Sequence, residues 1–258
     1  MFNNYLNKKN TDFILNPRSL QNKEYVLYSH LGLGDQIILS GAINKLSSNG
    51  HKLHIVSYGK FKNSMDYLYK NNLNIKIFYL PDYLNSSLQD HPDIDEKVRE
   101  YGSLLNIEIL KIGYENINKR LPFYEGLYKQ LKLNYKVSYK NFKLEHNDNL
   151  NSDLKKHLFE INSIDNEEFI LIHNEHSTGV KKLKNIPDKK IISVSKKTDP
   201  MGNMFLYQKL IYEASQIHCI NSSFIHLVDR LNTPANLFYH DLIGSTLKLK
   251  NKWQIINY

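Results

Sequence analysis

Short apolar runs rich in Val, Ile and Tyr alternate along this chain with longer amphipathic stretches, and this alternation limits the accessible folds more than any other feature. Nearly continuous apolar runs of this length are typical of strands buried on both faces of a sheet. The predicted strands are Tyr25–His30, Leu53–Tyr58, Ile75–Leu80, Ile107–Ile112, Glu168–His173, Ile191–Ser195, Gln216–Ile220 and Asn236–His240. Strands that alternate with helices predict parallel sheets with right-handed crossovers.

The strand–helix rhythm occurs twice, and a polar, turn-rich segment at residues 136–153 separates the two series. The sequence therefore predicts an α/β protein of two Rossmann-like lobes, residues 1–145 and 146–258, that face a central cleft. The clearest helical patterns are Gln36–Leu46, the stretch that begins at Pro122, and Met204–Ser215. Residues 1–23 are expected to form an irregular lead-in, and residues 136–153 the connection between the lobes.

The chain carries a surplus of positive charge: Lys and Arg exceed Asp and Glu by eight, and the pI is about 9.2. Such a surplus attracts anions such as nucleotides, nucleic acids, acidic glycans or anionic membranes. The lysines are dispersed and form no long basic tract, which argues against nucleic-acid binding. A peripheral contact with a membrane or an acidic glycan is compatible with this charge, and the sequence does not indicate an oligomeric state.

The lone cysteine, Cys219, lies inside a predicted strand and is expected to be a small buried hydrophobe. A chain with one cysteine forms no internal disulfide, which fits a reducing compartment. The first 17 residues are polar and contain no signal-peptide run, and no segment reaches the roughly 20 apolar residues that a membrane span needs. We therefore expect a cytoplasmic protein.

A glycine-containing turn joins the first long strand to the first helix. Gly32 and Gly34 allow a tight turn or a close approach, and Asp35 stands at the helix start. A dinucleotide fingerprint would need Gly or Ala at Ile37 and an acidic residue where the second strand ends at Tyr58, so the motif does not predict a nicotinamide cofactor. Asp35 has two readings, a helix cap or a general base for a hydroxyl.

A second polar turn, Asn221-Ser222-Ser223, follows a strand and begins a helix in the second half of the chain. Free amides and hydroxyls at such a junction suit a diphosphate, and His226 would add a hydrogen bond or a positive charge. The alternative is that Ser222 only caps the helix and that His226 is a surface residue or a satisfied core histidine. Both readings stay open from the residues alone.

Three segments of the chain resemble motifs of bacterial heptosyltransferases and related enzymes of the GT-B fold. GLGDQIILSGAINKL resembles their N-terminal Gly-Asp motif, and NSSFIH resembles their Asp-Thr-Gly-x-x-His motif. LIHNEHSTGVKK resembles the strand-end segment that grips the donor phosphates. The order matches over about residues 24–245. Asn221 stands where the family carries Asp and the chain is short for this fold, which favours a sugar donor other than a heptose nucleotide.

The resemblance implies a role for each matching residue. Asp35 becomes the general base that deprotonates the acceptor hydroxyl. The first lobe would take the acceptor and the second lobe the donor. The donor contacts would be Gly34 of the first lobe and, in the second lobe, His173, Ser177, Lys181, Ser195, Lys196, Asn221, Ser222, Ser223 and His226.

The expected function is that of a glycosyltransferase that moves a sugar from a nucleoside-diphosphate sugar to a hydroxyl of a glycan or glycolipid. The resemblance implies an inverting reaction without a metal; the donor is a substrate, so no cofactor is expected. The alternative is a non-catalytic protein that binds nucleotide sugars or glycans. Two metal readings are weaker: Asp93 and Asp95 as a metal-binding Asp-x-Asp pair, and a site at His173, Glu175 and His176.

Overall fold

The computed structural model describes residues 13–15, 20, 24–84, 92–113, 117, 120–165, 167–176, 179–244 and 247–258. Contacts between Cα atoms divide the chain into two compact units. The first comprises the described residues up to Leu31 together with Leu39–Phe142, and the second comprises Gly32–Ile38 and Lys143–Tyr258. The assignment of the lobes to acceptor and donor stays a prediction.

The first unit contains a five-stranded parallel sheet in the order β1-β5-β2-β3-β4. Its strands are β1 (Phe13–Ile14), β2 (Glu24–Tyr28), β3 (Lys52–Tyr58), β4 (Ile75–Leu80) and β5 (Glu108–Lys111). Its helices are α2 (Lys62–Tyr69), α3 (Pro92–Leu105), α4 (Phe123–Gln130), α5 (Val137–Lys140) and the part of α1 (Leu33–Ser48) from Leu39 onward. Central strands with almost no exposed residue confirm the prediction of a parallel sheet covered on both faces.

The predicted lead-in contains a strand that the sequence pattern did not show. Phe13 and Ile14 pair in parallel with Ile109 and Leu110 at the edge of the first sheet. The Phe13 ring lies under the guanidinium of Arg99, 3.8 Å from its centroid. Two residues carry too little periodicity for a strand prediction, and distant partners supply the stabilisation.

Gly41 allows α1 to approach the backbone of α5 within the first unit. A β-carbon at Gly41 would lie 2.4 Å from the carbonyl oxygen of Val137 and 2.7 Å from the Cα of Ser138. The neighbouring backbone amide of Ala42 donates to the hydroxyl of Tyr128 at 3.1 Å. Glycine inside a helix normally costs stability, and here its missing side chain is what permits the helix–helix contact.

The second unit contains a five-stranded parallel sheet in the order β12-β11-β10-β6-β9 and a small antiparallel hairpin, β7–β8. The strands are β6 (Phe169–His173), β7 (Glu175–His176), β8 (Gly179–Val180), β9 (Lys190–Ser193), β10 (Gln216–Cys219), β11 (Asn236–Asp241) and β12 (Trp253–Asn257). The helices are α6 (Asp148–Ile161), α7 (Gln208–Glu213) and α8 (Ser223–Val228). Cys219 is fully buried, as predicted, and burial raises the pKa of its thiol.

The boundary between the two units falls inside residues 136–153, the predicted connection, and helices lie towards both ends of this segment. α5 lies inside it, and α6 begins inside it at Asp148. The side chain of Asn147 caps α6 by accepting a hydrogen bond from the amide of Leu150 at 3.1 Å. Leu154 and Leu158 then bury one face of the helix. The polar residues of this segment are therefore a cap and an exposed helix face.

The edge strand β12 is held by the carboxylate of Asp229, which directly follows α8. This side chain is 1% exposed and accepts hydrogen bonds from the amides of Lys250 and Asn251, each at 2.9 Å, and from the indole N–H of Trp253 at 3.0 Å. Three donors on one carboxylate stabilise the turn that leads into β12. The sequence pattern missed this strand because it lies at an edge and alternates only weakly.

Two buried histidines form a continuous hydrogen-bond chain on the second sheet. The Gln216 side-chain oxygen only accepts, so Nε2–H of His218 donates to it at 3.2 Å. Nδ1 of His218 then accepts from Nε2–H of His240 at 2.9 Å. Nδ1 of His240 accepts from the hydroxyl of Tyr258 at 2.9 Å, and that oxygen accepts from the amide of Lys184 at 2.7 Å. Each ring is thereby fixed as the neutral Nε2–H tautomer.

None of the helices in the described part of the chain combines the length and the apolar character that crossing a membrane requires.

Candidate functional site

The order of strands in the second sheet contains a point where the chain reverses direction across the sheet. From β6 the chain passes to β9 on one side and then to β10 on the other. β6 and β10 pair in register, with His173 opposite Cys219, and the amide of Ile220 donates to the carbonyl of His173 at 3.2 Å. Ligands of open α/β sheets bind outside the carboxyl ends of strands at such a point. Asn174 and the turn Asn221–Ser223 follow these two ends.

The Gly-Asp turn lies against the start of α8, and both belong to the second unit. A β-carbon at Gly34 would lie 3.2 Å from Cδ2 of His226, 3.4 Å from Cα of Ser223 and 3.7 Å from its amide nitrogen. Gly34 therefore approaches the second predicted motif closely because it carries no side chain. The structure brings the two motifs together, although Ser223 lies 189 positions after Gly34 in the chain.

Ser222 occupies the N-cap position of α8, but it does not act as a side-chain cap. Its backbone is extended, with φ −156° and ψ 174°, and its hydroxyl makes no capping hydrogen bond. Its Oγ is buried and has no hydrogen-bond partner among the described residues. The interpretation of Ser222 as a plain cap is therefore wrong. A buried polar atom without a partner costs about 1–3 kcal/mol, which a ligand at this position would recover.

His173, the last residue of β6, carries a second buried polar atom that lacks a hydrogen-bond partner among the described residues. It is 8% exposed, its ring stacks on Phe224 with centroids 5.4 Å apart, and its Nδ1 has no partner within the described residues. Burial lowers the pKa of His173 to about 4, so the ring is neutral at physiological pH. Nδ1 of His173 and Oγ of Ser222 thus lie at the ends of adjacent strands, each short of one hydrogen bond.

His226 is buried and neutral, which corrects the expectation that it could supply a positive charge. It is 5% exposed, and burial, together with the nearby Arg230 guanidinium, lowers its pKa to about 3. It is therefore neither a surface residue nor a cation. α8 has only six residues, so its dipole is short as well. Any stabilisation of an anion by this motif comes from hydrogen bonds.

The segment after β6 folds back so that Lys181 returns to the end of that strand. The Lys181 amide donates to the carbonyl of Asn174 at 2.9 Å, and the side-chain amide of Asn174 donates to the carbonyl of Lys181 at 2.7 Å. The hairpin β7–β8 lies between them. The structure therefore places the backbone of Lys181 beside Asn174, the residue that follows His173. Ser177, also predicted as a donor contact, lies outside the described residues.

Ser195 and Lys196 follow β9, beside the end of β6. The backbone amide of Val194 donates to the carbonyl of Ile172 at 2.8 Å, and the hydroxyl of Ser195 donates to Oε1 of Glu175 at 2.6 Å. Lys196 is exposed. Sequence reasoning missed Asn174 and considered Glu175 only as part of a metal site, although they are the first two residues after a predicted strand end.

Asp35 lies in the first turn of α1 and is partly exposed. It belongs to the seven-residue segment Gly32–Ile38, which is part of the second unit. Asp35 is thus adjacent in sequence to the residue that approaches Ser223 and His226. Both of its readings, as a first-turn partner of the helix dipole and as a base, remain predictions.

Asp95, one of the two residues of the Asp-x-Asp pair, forms an ion pair within the first unit. Its carboxylate accepts from Nζ of the buried Lys111 at 2.8 Å and from the hydroxyl of Tyr28 at 2.9 Å. Asp93 is exposed on α3. Across the described ranges, no group of three His, Cys, Asp or Glu side chains has the arrangement of a metal site.

Two shallow surface depressions of the second unit contain none of the predicted site residues. They have volumes of about 330 and 370 Å³ and lie beside α6 and α7. The candidate site is therefore defined by the loops after β6, β9 and β10 together with the Gly-Asp turn, and not by either depression.

Comparison with known proteins gives structural likeness without sequence likeness. No family model and no curated protein matches the chain. A glycosyltransferase of family 9 from Veillonella parvula is similar to it with a TM-score of 0.56 and 11% identity, over 94% of this chain and 89% of that one. The ADP-heptose LPS heptosyltransferase II of E. coli is similar with a TM-score of 0.51 and 10% identity, over 91% and 90% of the two chains.

These likenesses confirm the predicted fold class. The chain is an α/β protein with two Rossmann-like units, and it has the GT-B fold of these glycosyltransferases. The resemblance to heptosyltransferases that the motifs indicated is thus present in the fold, along nearly the whole chain. At 10–11% identity the likeness concerns the fold alone.

Proposed function

We propose that this protein transfers a glycosyl group from a nucleoside-diphosphate sugar to a hydroxyl of a glycan or glycolipid. One observation carries the proposal: two buried polar atoms without a partner among the described residues, Nδ1 of His173 and Oγ of Ser222, lie at the carboxyl ends of the adjacent strands β6 and β10. At the turn that contains Ser222, Gly34 approaches Ser223 and His226. The GT-B fold supports the choice of glycosyl transfer for this site.

The donor diphosphate is the ligand that best fits this chemistry. Hydroxyl and neutral imidazole groups hydrogen-bond phosphate oxygens, and the tight approach of Gly34 keeps that part of the site free of a side chain. The ammonium groups of Lys181 and Lys196 supply the positive charge that neutral His173 and His226 do not. As the glycosidic bond to the diphosphate breaks, these groups stabilise the negative charge that develops on the leaving oxygen.

Asp35 is the proposed general base. It would accept the proton of the acceptor hydroxyl while that oxygen attacks the anomeric carbon and the nucleoside diphosphate leaves. Attack from the face opposite the leaving group inverts the anomeric configuration. Because the chain's own lysines and hydrogen-bond donors balance the charge of the leaving group, the proposed reaction runs without a divalent metal, and its rate survives EDTA.

The test begins with a panel of nucleotide sugars screened by thermal shift, since a ligand at 100 times its dissociation constant stabilises by roughly 2.7 kcal/mol. The donor that binds is then assayed for hydrolysis and transfer with wild type, Asp35→Asn and Asp188→Asn. Asp188 is an exposed carboxylate of the second unit and controls for the change in net charge.

We expect Asp35→Asn to retain donor binding and to lose turnover by roughly 100- to 10,000-fold, the usual contribution of a general base. Asp188→Asn should behave as wild type. If wild type binds a nucleotide sugar but shows no turnover with any acceptor, the protein is a binding protein and the transferase proposal is wrong. If no nucleotide or nucleotide sugar binds, the donor site itself is refuted.

A further inference from the structure

Residues 181–184, which directly follow the hairpin β7–β8, form a short basic segment that is anchored at both ends. The segment reads Lys-Lys-Leu-Lys and contains no acidic residue. At its start, the amide of Lys181 donates to the carbonyl of Asn174 at 2.9 Å. At its end, the amide of Lys184 donates to the hydroxyl of Tyr258 at 2.7 Å, and the Lys184 ammonium lies 4.3 Å from the centroid of the Tyr258 ring. We call residues 181–184 the basic strap.

The hydroxyl of Tyr258 is a directional anchor, because the histidine beside it determines where its proton points. It donates to Nδ1 of His240 at 2.9 Å, and His240 is fully buried. Nε2–H of His240 donates in turn to His218, so Nδ1 of His240 acts only as an acceptor. The single proton of the Tyr258 hydroxyl is thereby used, and its oxygen accepts from the strap. Two buried histidines thus fix the end of the strap through one tyrosine.

The strand register puts the two anchors of the strap at the same level of the second sheet. Cys219, the last residue of β10, is opposite His173 of β6 and opposite Tyr239 of β11. The next residues of these two neighbours, Asn174 and His240, therefore lie level with each other, one residue beyond the end of β10. β10 lies between them in the strand order.

The basic strap consequently passes the carboxyl end of β10, where the turn with Ser222 begins. It starts at Asn174 and ends at the hydroxyl that contacts His240. Two strand spacings amount to about 10 Å, and three extended residues cover about the same distance. The strap thus brings positive charge to a turn whose buried Ser222 Oγ lacks a partner among the described residues and whose own histidine, His226, is neutral.

We propose that Tyr258 is a positioning residue of the donor site, and that its hydroxyl holds the basic strap where the strap's lysines bind the anionic ligand. This inference rests on the proposed function, and it extends the site to a residue that the sequence motifs do not include. Tyr258 does not touch the ligand; it acts through the backbone of Lys184.

The experiment measures the dissociation constants of inorganic pyrophosphate, ADP and UDP by calorimetry, at a temperature below the unfolding transition of each protein. Tyr258→Phe removes the hydroxyl and keeps the ring, and the double variant Lys181→Gln/Lys182→Gln removes two charges of the strap. A third protein combines these changes. The controls are Tyr212→Phe and Lys156→Gln, which alter an exposed tyrosine of α7 and an exposed lysine of α6 in the same unit.

Tyr258→Phe should weaken pyrophosphate binding by about three- to tenfold, and the double lysine variant by about tenfold or more, because hydrogen bonds from charged donors are lost. The combined protein should bind no more weakly than the double lysine variant, since Tyr258 acts through those charges. Independent contributions would multiply instead. The controls should match wild type. Unchanged affinity in Tyr258→Phe or in the double lysine variant overturns the inference, as does multiplication of the two effects.

Hydrogen exchange of wild type tests the anchor without a variant, and decides the matter if Tyr258→Phe does not fold. The amide of Lys184 should exchange at least about tenfold more slowly than in an unfolded chain, and saturating pyrophosphate should slow it further. Exchange at the unfolded rate, or exchange that pyrophosphate leaves unchanged, overturns the role of Tyr258. If wild type binds neither pyrophosphate nor ADP nor UDP, the proposed function fails as well.

Wild type that binds these ligands while the variants bind them equally well refutes the positioning role alone.

Discussion

Gly34 faces the imidazole of His226 so closely that a β-carbon at position 34 would lie 3.2 Å from Cδ2 of that ring. Gly34→Ala therefore requires His226 or the adjoining backbone of Ser223 to shift by a few tenths of an ångström. We expect the variant to fold and to bind the donor nucleotide several-fold to about tenfold more weakly, because displaced groups lose hydrogen bonds to a charged ligand. Calorimetric titration with the preferred nucleotide measures the effect.

Gly126→Ala is the matched control for this substitution. A β-carbon at Gly126 meets Ile117 at the same distance, 3.2 Å, in the first unit. It should leave nucleotide affinity unchanged at a similar cost in stability. Equal affinities for Gly34→Ala and wild type would show that the contact with His226 has no part in binding.

Gly41→Ala should destabilise the protein although alanine is the better helix former. The new methyl would meet the Val137 carbonyl oxygen at 2.4 Å, and backbone atoms yield little. Overpacking costs about 1–3 kcal/mol, more than the gain in helix propensity of up to about 1 kcal/mol. Gly102→Ala is the comparison, since its methyl meets mainly side-chain atoms, Cγ1 and Cδ1 of Ile109 at 2.7 and 2.8 Å. Urea unfolding should give a lower free energy of unfolding for Gly41→Ala than for Gly102→Ala; the reverse order would refute the packing argument.

Asp229→Ala should lower the free energy of unfolding by about 3 kcal/mol or more. The substitution leaves the amides of Lys250 and Asn251 and the indole N–H of Trp253 without their acceptor. Denaturation followed by circular dichroism measures the loss, and Asp188→Ala provides an exposed aspartate of the same unit as a control. A loss as small as that of the control would mean that the turn before β12 does not depend on this carboxylate.

Stability should fall as the pH falls from about 6.5 towards 4. Burial lowers the pKa of His173, His218 and His240 to about 4 and that of His226 to about 3. Below the unfolded-state pKa of about 6.5, the unfolded chain therefore binds protons that the folded chain excludes. Stability from these groups is complete above about pH 6.5 and declines as the folded pKa values are approached.

His218→Asn tests the contribution of one of these histidines. The asparagine oxygen replaces Nδ1 as the acceptor for His240, so the chain of hydrogen bonds is retained there while one titrating group is removed. The pH dependence of the free energy of unfolding should become shallower by up to about 1.4 kcal/mol per pH unit, one proton's worth. An unchanged slope in this variant would contradict the burial argument for His218.

Continuous apolar runs predicted most strands of both sheets, because a parallel strand covered on both faces consists almost entirely of apolar residues. The edge strands β1 and β12 lack such runs. β1 has two residues, and β12 is held through Asp229 by bonds that span more than 20 residues. For α6 a usable signal existed: Asn147 as a cap, followed by Leu154 and Leu158 at helical spacing, lay within a segment whose polarity suggested a connection.

The site residues were identifiable from sequence as polar turns after strands, but their physical states were not. The loss of charge on His226 results from burial among elements that only the fold assembles. The failure of Ser222 to cap α8 depends on backbone and side-chain geometry that residue preference does not determine. Glu175 was visible in the sequence beside His173, and its relation to Ser195 required the pairing of β6 with β9.

The bond between Asp229 and Trp253 gives the molecule a built-in optical reporter. Trp253 is the sole tryptophan of the chain, and its indole is tied to the residue that directly follows the helix carrying His226. A small displacement of that helix changes the hydrogen bond and the polarity around the indole. Tryptophan fluorescence can therefore report ligand binding at the candidate site in real time, without an added label. Because Trp253 is the sole tryptophan, the whole tryptophan signal comes from this position.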